Sequence, residues 1–231
     1  MASRRPCRLF IFDLDGTLID SRADLVCSVN RTLARLGYAP LSGASIDGFV
    51  GEGVNRLIER VLTTVTGHKP ESETIAATVK LYLEDYSRHL LDDTRLRDQA
   101  KEALDALSGA AFAVVTNKNT DFSRRILEGL GVGDRFSIIL GADAVRERKP
   151  APEALFKAME FCGATPEETV MIGDGLVDIQ AGKAAGTATC GILGGFRPDE
   201  ELINSGCDVL ITALPQLADH FIPIRATGIP E

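Results

Sequence analysis

Six short apolar runs, each ending at a glycine or a polar residue, constrain this chain more than any other feature. They are Leu9–Phe12, Ala111–Val115, 136–140, 170–172, 188–193 and Val209–Ile211. They are rich in Val, Ile and Phe, and most do not alternate with polar residues. Strands buried on both faces read this way. Helical patterns lie between them. Residues 98–107 carry Ala100, Ala103, Leu104 and Leu107 at helical spacing, and 121–130 is stopped by Gly131. Residues 152–161 open with Pro152, and 177–185 is stopped by Gly186. The alternation predicts an α/β fold with a Rossmann-like parallel sheet and helices on both faces.

The alternation is interrupted once. From Ser21 to about Leu91 only helical spacing appears. Leu25, Val29, Leu33 and Leu36 form one stripe, and Ser21 followed by Asp24 predicts a capping box. Val54, Leu57, Ile58, Val61, Leu62 and Val65 form a second stripe; Ile75, Val79 and Leu83 form a third. The block predicts a helical cap domain, residues 20–94, inserted after the first strand of a core made of residues 1–19 and 95–231. Its hinges are expected at 19–21 and 92–95. The tail after Phe221 is expected to be loose.

Composition narrows the function. The chain has 231 residues, 45% apolar, enough for one core and a small added domain. A net charge of −8 leaves no general basic face, which argues against nucleic acid as a partner. Arg4, Arg5 and Arg8 before an apolar run imitate a signal peptide. That run stops at Asp13, short of the roughly 7–15 residues such a core needs, and nothing approaches the roughly 20 of a membrane span. The expectation is a cytoplasmic protein, monomer or homodimer, with no membrane partner. Five scattered cysteines without a C-x-x-C pair read as inert thiols of a reducing compartment. His68, His89 and His220 sit in polar or terminal contexts and receive no role.

Four polar clusters fall where the predicted strands end, the edge at which open α/β sheets bind ligands. They are Asp13 with Asp15, Thr116-Asn117-Lys118, Lys149, and Asp174 with Asp178. Each has a bland explanation taken singly: a helix cap, a turn, a surface lysine. Four in this order at four strand ends point to phosphoryl transfer, which needs charge neutralised and groups in line. Asp13 is the expected nucleophile. Asp15 is the expected acid, protonating the leaving oxygen and then taking a proton from water. Lys149, Thr116 and Asn117 are expected on the phosphoryl oxygens. Mg2+ is expected on Asp13, Asp174 and the backbone carbonyl of Asp15. Gly16 lets the backbone turn tightly, and Asp178, one helical turn past Asp174, is expected to orient Lys149 or a metal-bound water.

At these residues the chain resembles the haloacid dehalogenase superfamily. DLDGT, VVTN, RKPAPE and GDGLVD match its four motifs in order, over nearly the whole chain. The resemblance implies a phosphatase with an aspartyl-phosphate intermediate and places the helical insert as a cap between the first two motifs. Gly175 departs from the pattern, which often has Ser there. FVGEGVNRLIERVL, residues 49–62, and TNKNTD resemble the phosphoglycolate phosphatases of that superfamily, implying a small phosphorylated metabolite, 2-phosphoglycolate, as substrate. Such a substrate carries a second anion. Backbone N–H groups of Gly51, Glu52 and Gly53 at a helix start, together with Arg56 and Lys118, are its expected readers.

Asp15 argues against dehalogenase and phosphonate-cleaving relatives, which lack that acid. A sugar phosphomutase keeps both acids; Thr17 tilts toward a phosphatase, because mutases often carry an apolar residue there. Phosphatases of other small metabolites stay open, as does a non-catalytic module on the same fold.

Overall fold

The computed structural model describes residues 4–225. The chain forms two units, Met1–Asp20 with Leu96–Glu231, and Ser21–Arg95.

The first unit is built on a six-stranded sheet. In chain order its strands are β1 (Leu9–Phe12), β2 (Ala111–Val115), β3 (Ile138–Leu140), β4 (Thr169–Gly173), β5 (Ala188–Ile192) and β6 (Val209–Ile211). Their spatial order is 3-2-1-4-5-6, and every pairing is parallel. Order reverses at β1, so β1 lies centrally between β2 and β4. Successive residues of β1 face opposite layers. Leu9 and Ile11 belong to an apolar cluster with Ala113, Val115, Leu155, Ala158 and Met171. Phe10 and Phe12 join Phe112 in edge-on ring contacts at 6.2 and 6.1 Å. A central strand apolar on both faces cannot slip out of register without burying polar groups.

Besides the short helix Asp199–Ile203 between β5 and β6, four helices connect the strands among the described residues: Ala100–Ala106, Thr120–Gly129, Glu153–Cys162 and Leu176–Ala185. Gly163 and Gly186 end the last two in the left-handed conformation glycine adopts without strain. β3 is shorter than its apolar run. Phe136 follows a tight turn at Gly133–Arg135 and packs its ring against Phe12 instead. The expected loose tail also needs correction: Phe221–Pro223 pairs in parallel with Arg5–Cys7, a strand not read from the sequence. The rest of that tail, 226–231, lies outside the described residues. Burial pushes the thiols of Cys7, up to about 12, and of Cys162 and Cys190 above their ordinary range, as inert thiols require.

The second unit contains helices Arg22–Arg35, Gly43–Asp47, Val54–Thr66 and Ser72–Tyr86. Leu25, Val29 and Leu33 are buried, as are Leu57, Ile58, Val61 and Leu62. The third stripe is offset from its expected position: Thr78, Tyr82 and Tyr86 are buried, and Ile75, Val79 and Leu83 only partly so. The tyrosine rings stack at 5.6 Å, and their larger area turns the helix toward them. The expected capping box is not formed. Ser21 makes no side-chain cap, and Asp24 is buried, accepting hydrogen bonds from the backbone N–H of Asp93 and Thr94 and from the Thr94 hydroxyl. The acid thus ties the two ends of this unit together. Among the described residues no helix is long and apolar enough to cross a membrane.

Candidate active site

The site lies at the carboxyl ends of β1, β2 and β4, beside the point where strand order reverses. Asp13 continues the ladder of β1: its N–H donates to the carbonyl of Ile172 at 2.8 Å. The chain then turns back on the Leu14 carbonyl, which accepts from the N–H groups of Thr17, Leu18 and Ile19. Gly16 sits in that turn at φ +84°, and a Cβ there would stand 2.3 Å from Asp174 Oδ2. Glycine is required on both counts.

Lys149 is the hub. It is buried, and its Nζ lies 2.7 Å from Asp13 Oδ1, 2.6 Å from Asp178 Oδ1 and 2.7 Å from the Val115 carbonyl. Asp178 accepts from the Gly175 N–H at its other oxygen, 3.0 Å away, so its carboxylate is committed to structure on both sides. Asp174 accepts from the Thr17 hydroxyl at 3.2 Å and from the Phe196 N–H at 2.7 Å. A Cβ on Gly195 would also collide with it, at 2.2 Å.

Asp13, Asp174 and Asp178 are all buried, with one oxygen from each within 4.8 Å of the others. Burial, only partly offset by Lys149, pushes Asp13 up to about 6. Burial and the charges of Asp13 and Asp178 push Asp174 up to about 7. Burial works against the Lys149 ammonium, but Asp13 and Asp178 together outweigh it and raise its proton affinity. One lysine balances one of three carboxylates. The remaining excess of negative charge and the all-oxygen donor set fit a hard divalent cation. With Asp178 committed, the residues that could hold one are Asp13, Asp174 and the Asp15 carbonyl.

The other expected residues fall as follows. Thr116 continues β2 at its end, with its N–H on the Leu140 carbonyl at 3.0 Å, and its hydroxyl oxygen accepts from the Lys118 N–H at 3.2 Å. Asn117 Nδ2 donates to the Lys149 carbonyl at 3.1 Å, so its side-chain amide holds the lysine's backbone. The Asp15 carboxylate meets Lys118 Nζ at 2.9 Å to each oxygen. In the second unit, Gly51 and Gly53 take positive φ, and Gly53 precedes the helix Val54–Thr66. Arg56 is half exposed and pairs with Glu59 at 2.8 Å, while Glu52 pairs with Arg60 at 2.6 Å. The arginine is thus matched by an acid of its own helix.

Sequence reasoning missed Arg97 and the 194–196 loop. The Arg97 guanidinium donates to the Gly16 carbonyl and, at 2.9 Å, to the Leu193 carbonyl, joining the Asp13 turn to the loop that supplies the Phe196 N–H. Adjacent glycines at 194 and 195 were a signal for close backbone approach; a lone arginine gave none.

Known proteins resemble this chain in sequence and in fold. The phosphoglycolate phosphatase of Neisseria meningitidis serogroup A is 36% identical over 217 residues, 92% of each chain. That of Colwellia psychrerythraea is 37% identical, covering 86% of this chain and 89% of its own. The crystal structure of a predicted phosphoglycolate phosphatase from Haemophilus somnus superposes with a TM-score of 0.86 at 28% identity, covering 92% of this chain and 97% of that one. Fold, edge cluster and relatives together define an α/β phosphatase, a phosphoric monoester hydrolase. The family model for haloacid dehalogenase-like hydrolases matches residues 10–192, and the chain belongs to that family.

Proposed function

We propose that the protein hydrolyses 2-phosphoglycolate in the cytoplasm, with Mg2+ as cofactor and an aspartyl-phosphate on Asp13 as intermediate. The observation that carries the reading is the Asp13 carboxylate, buried at the end of the central strand with one oxygen held by Lys149. Lys149 occupies Oδ1, so Oδ2 is assigned the attack. Its lone pair forms the new P–O bond as the bond from phosphorus to the leaving oxygen breaks, and Asp15 gives that oxygen a proton. Water then attacks the same phosphorus and returns a proton to Asp15, and the Asp13 carboxylate leaves. Thr116 accepts from the Lys118 N–H, so its own O–H is left to donate to a phosphoryl oxygen. Asp13, Asp174 and the Asp15 carbonyl would hold the Mg2+, which would supply positive charge to screen one anion from the other.

The choice of 2-phosphoglycolate rests on the relatives and on the loop at Gly51, Glu52 and Gly53, whose backbone N–H groups are the proposed readers of the second anion. A panel of small phosphomonoesters read as kcat/KM, with EDTA and then Mg2+ added back, tests the reading. The expected result is 2-phosphoglycolate first and no turnover in EDTA. Full activity in EDTA overturns the metal; stoichiometric transfer to a sugar phosphate makes the protein a mutase. Preference for an uncharged ester overturns the substrate and leaves the phosphatase.

A further inference from the structure

Lys118 was expected to face a substrate anion, but its ammonium meets Asp15, 103 residues away in sequence, at 2.9 Å to each carboxylate oxygen. The lysine is anchored for that task. Its N–H is held by the Thr116 hydroxyl, and its carbonyl accepts from the Ala142 N–H at 2.9 Å. A Cβ on Gly141 would stand 2.5 Å from that carbonyl, so glycine there allows the approach. Both side chains are largely buried, at 7% and 12% exposure, where an ion pair is screened little by solvent or salt. A carboxylate turns freely about its last torsion unless both oxygens are held. Contact to both oxygens fixes the plane of the Asp15 carboxylate.

We infer that Lys118 is a positioning residue for the second half-reaction: it holds the Asp15 carboxylate in the plane from which it takes the proton of the attacking water. The inference rests on the proposed role of Asp15 as base. It assigns Lys118 to phosphoenzyme hydrolysis and not to reading the substrate.

The test uses p-nitrophenyl phosphate, whose leaving group departs without a proton. Phosphorylation of Asp13 then needs no acid, and only hydrolysis of the phosphoenzyme needs Asp15. Lys118→Met should give a burst of nitrophenol close to one per chain, followed by slow turnover, the kinetic sign of an accumulating covalent intermediate. The values of kcat and KM should fall together by about tenfold or more, leaving kcat/KM within about fivefold of wild type. Burst amplitude counts competent sites, so misfolding is not mistaken for the effect. Lys118→Gln, which keeps a polar head, should behave alike.

Three results overturn the inference. The first is wild-type kcat with no burst. The second is a raised KM confined to 2-phosphoglycolate, which returns Lys118 to substrate reading. The third is an equal loss of kcat/KM on every ester, which makes it a charge for the phosphoryl group. Asp15→Asn is the separate control. If it shows neither a burst nor slowed turnover, the role of Asp15 as base falls, whatever Lys118 does.

Discussion

Replacing Asp174 with asparagine should stabilise the ion-free protein while removing its catalysis. Asp174 is buried, and its carboxyl is pushed from 3.8 up to about 7 by burial and by Asp13 and Asp178. The folded value lies above the unfolded one. Stability is therefore fully present below 3.8 and is lost as pH rises through about 7, because the folded chain holds a proton that the unfolded chain has released. A rise of that size corresponds to about 4 kcal/mol at high pH. Coupling to Asp13 and the residual cost of burying an amide reduce what substitution recovers, to about 2–4 kcal/mol at pH ~8. Asparagine keeps both partners: Oδ1 accepts from the Phe196 N–H, and Nδ2 donates to the Thr17 hydroxyl. Thermal unfolding in EDTA should show the variant about 5–15 °C above wild type at pH ~8, with the gap narrowing at pH ~5. Excess Mg2+ should raise wild type by mass action, about 2.7 kcal/mol at a hundredfold over Kd, and the variant far less. If the variant is less stable than wild type in EDTA at pH ~8, or wild type is indifferent to pH across this range, burial and the neighbouring carboxylates do not hold the Asp174 carboxyl above its ordinary range.

Asp13→Asn should fold, because Lys149 keeps Asp178 and the Val115 carbonyl, and should lose at least about 1,000-fold in kcat, checked by steady-state kinetics beside near-UV circular dichroism. Gly16→Ala places a methyl 2.3 Å from Asp174 Oδ2 at a positive φ. It should cost about 1–3 kcal/mol in urea unfolding, and a Mg2+ titration of kcat should shift to higher concentration. For Gly175→Ser, the added Cβ would meet no atom closer than 3.5 Å, and the position lies in extended backbone before the helix Leu176–Ala185. The hydroxyl can cap that helix, so the urea midpoint should correspond to a gain of about 0.5–1 kcal/mol.

Much of this molecule is decided locally and was legible in order along the chain. A strand buried on both faces must be apolar throughout, which is why β1 and β2 appear with the bounds of their apolar runs. The acids, threonine and lysines after those strands were visible because a parallel sheet gathers successive strand ends on one edge. What lies between residues far apart in sequence was not visible. The third stripe of the helical insert was misplaced because two stacked tyrosines outbid three aliphatic residues for burial. Asp24 had the spacing of a cap yet closes its unit on Asp93 and Thr94, since a buried carboxylate takes whichever donors the packing brings to it. The same holds within the site. That Asn117 holds the Lys149 backbone, that Lys118 clasps Asp15 and that Arg97 joins two loops depend on distances set by strand order and loop packing. Sequence determined which charges the edge would carry. Tertiary structure alone decided which charge meets which, because a hydrogen bond depends on separations of a few tenths of an ångström that no local pattern encodes.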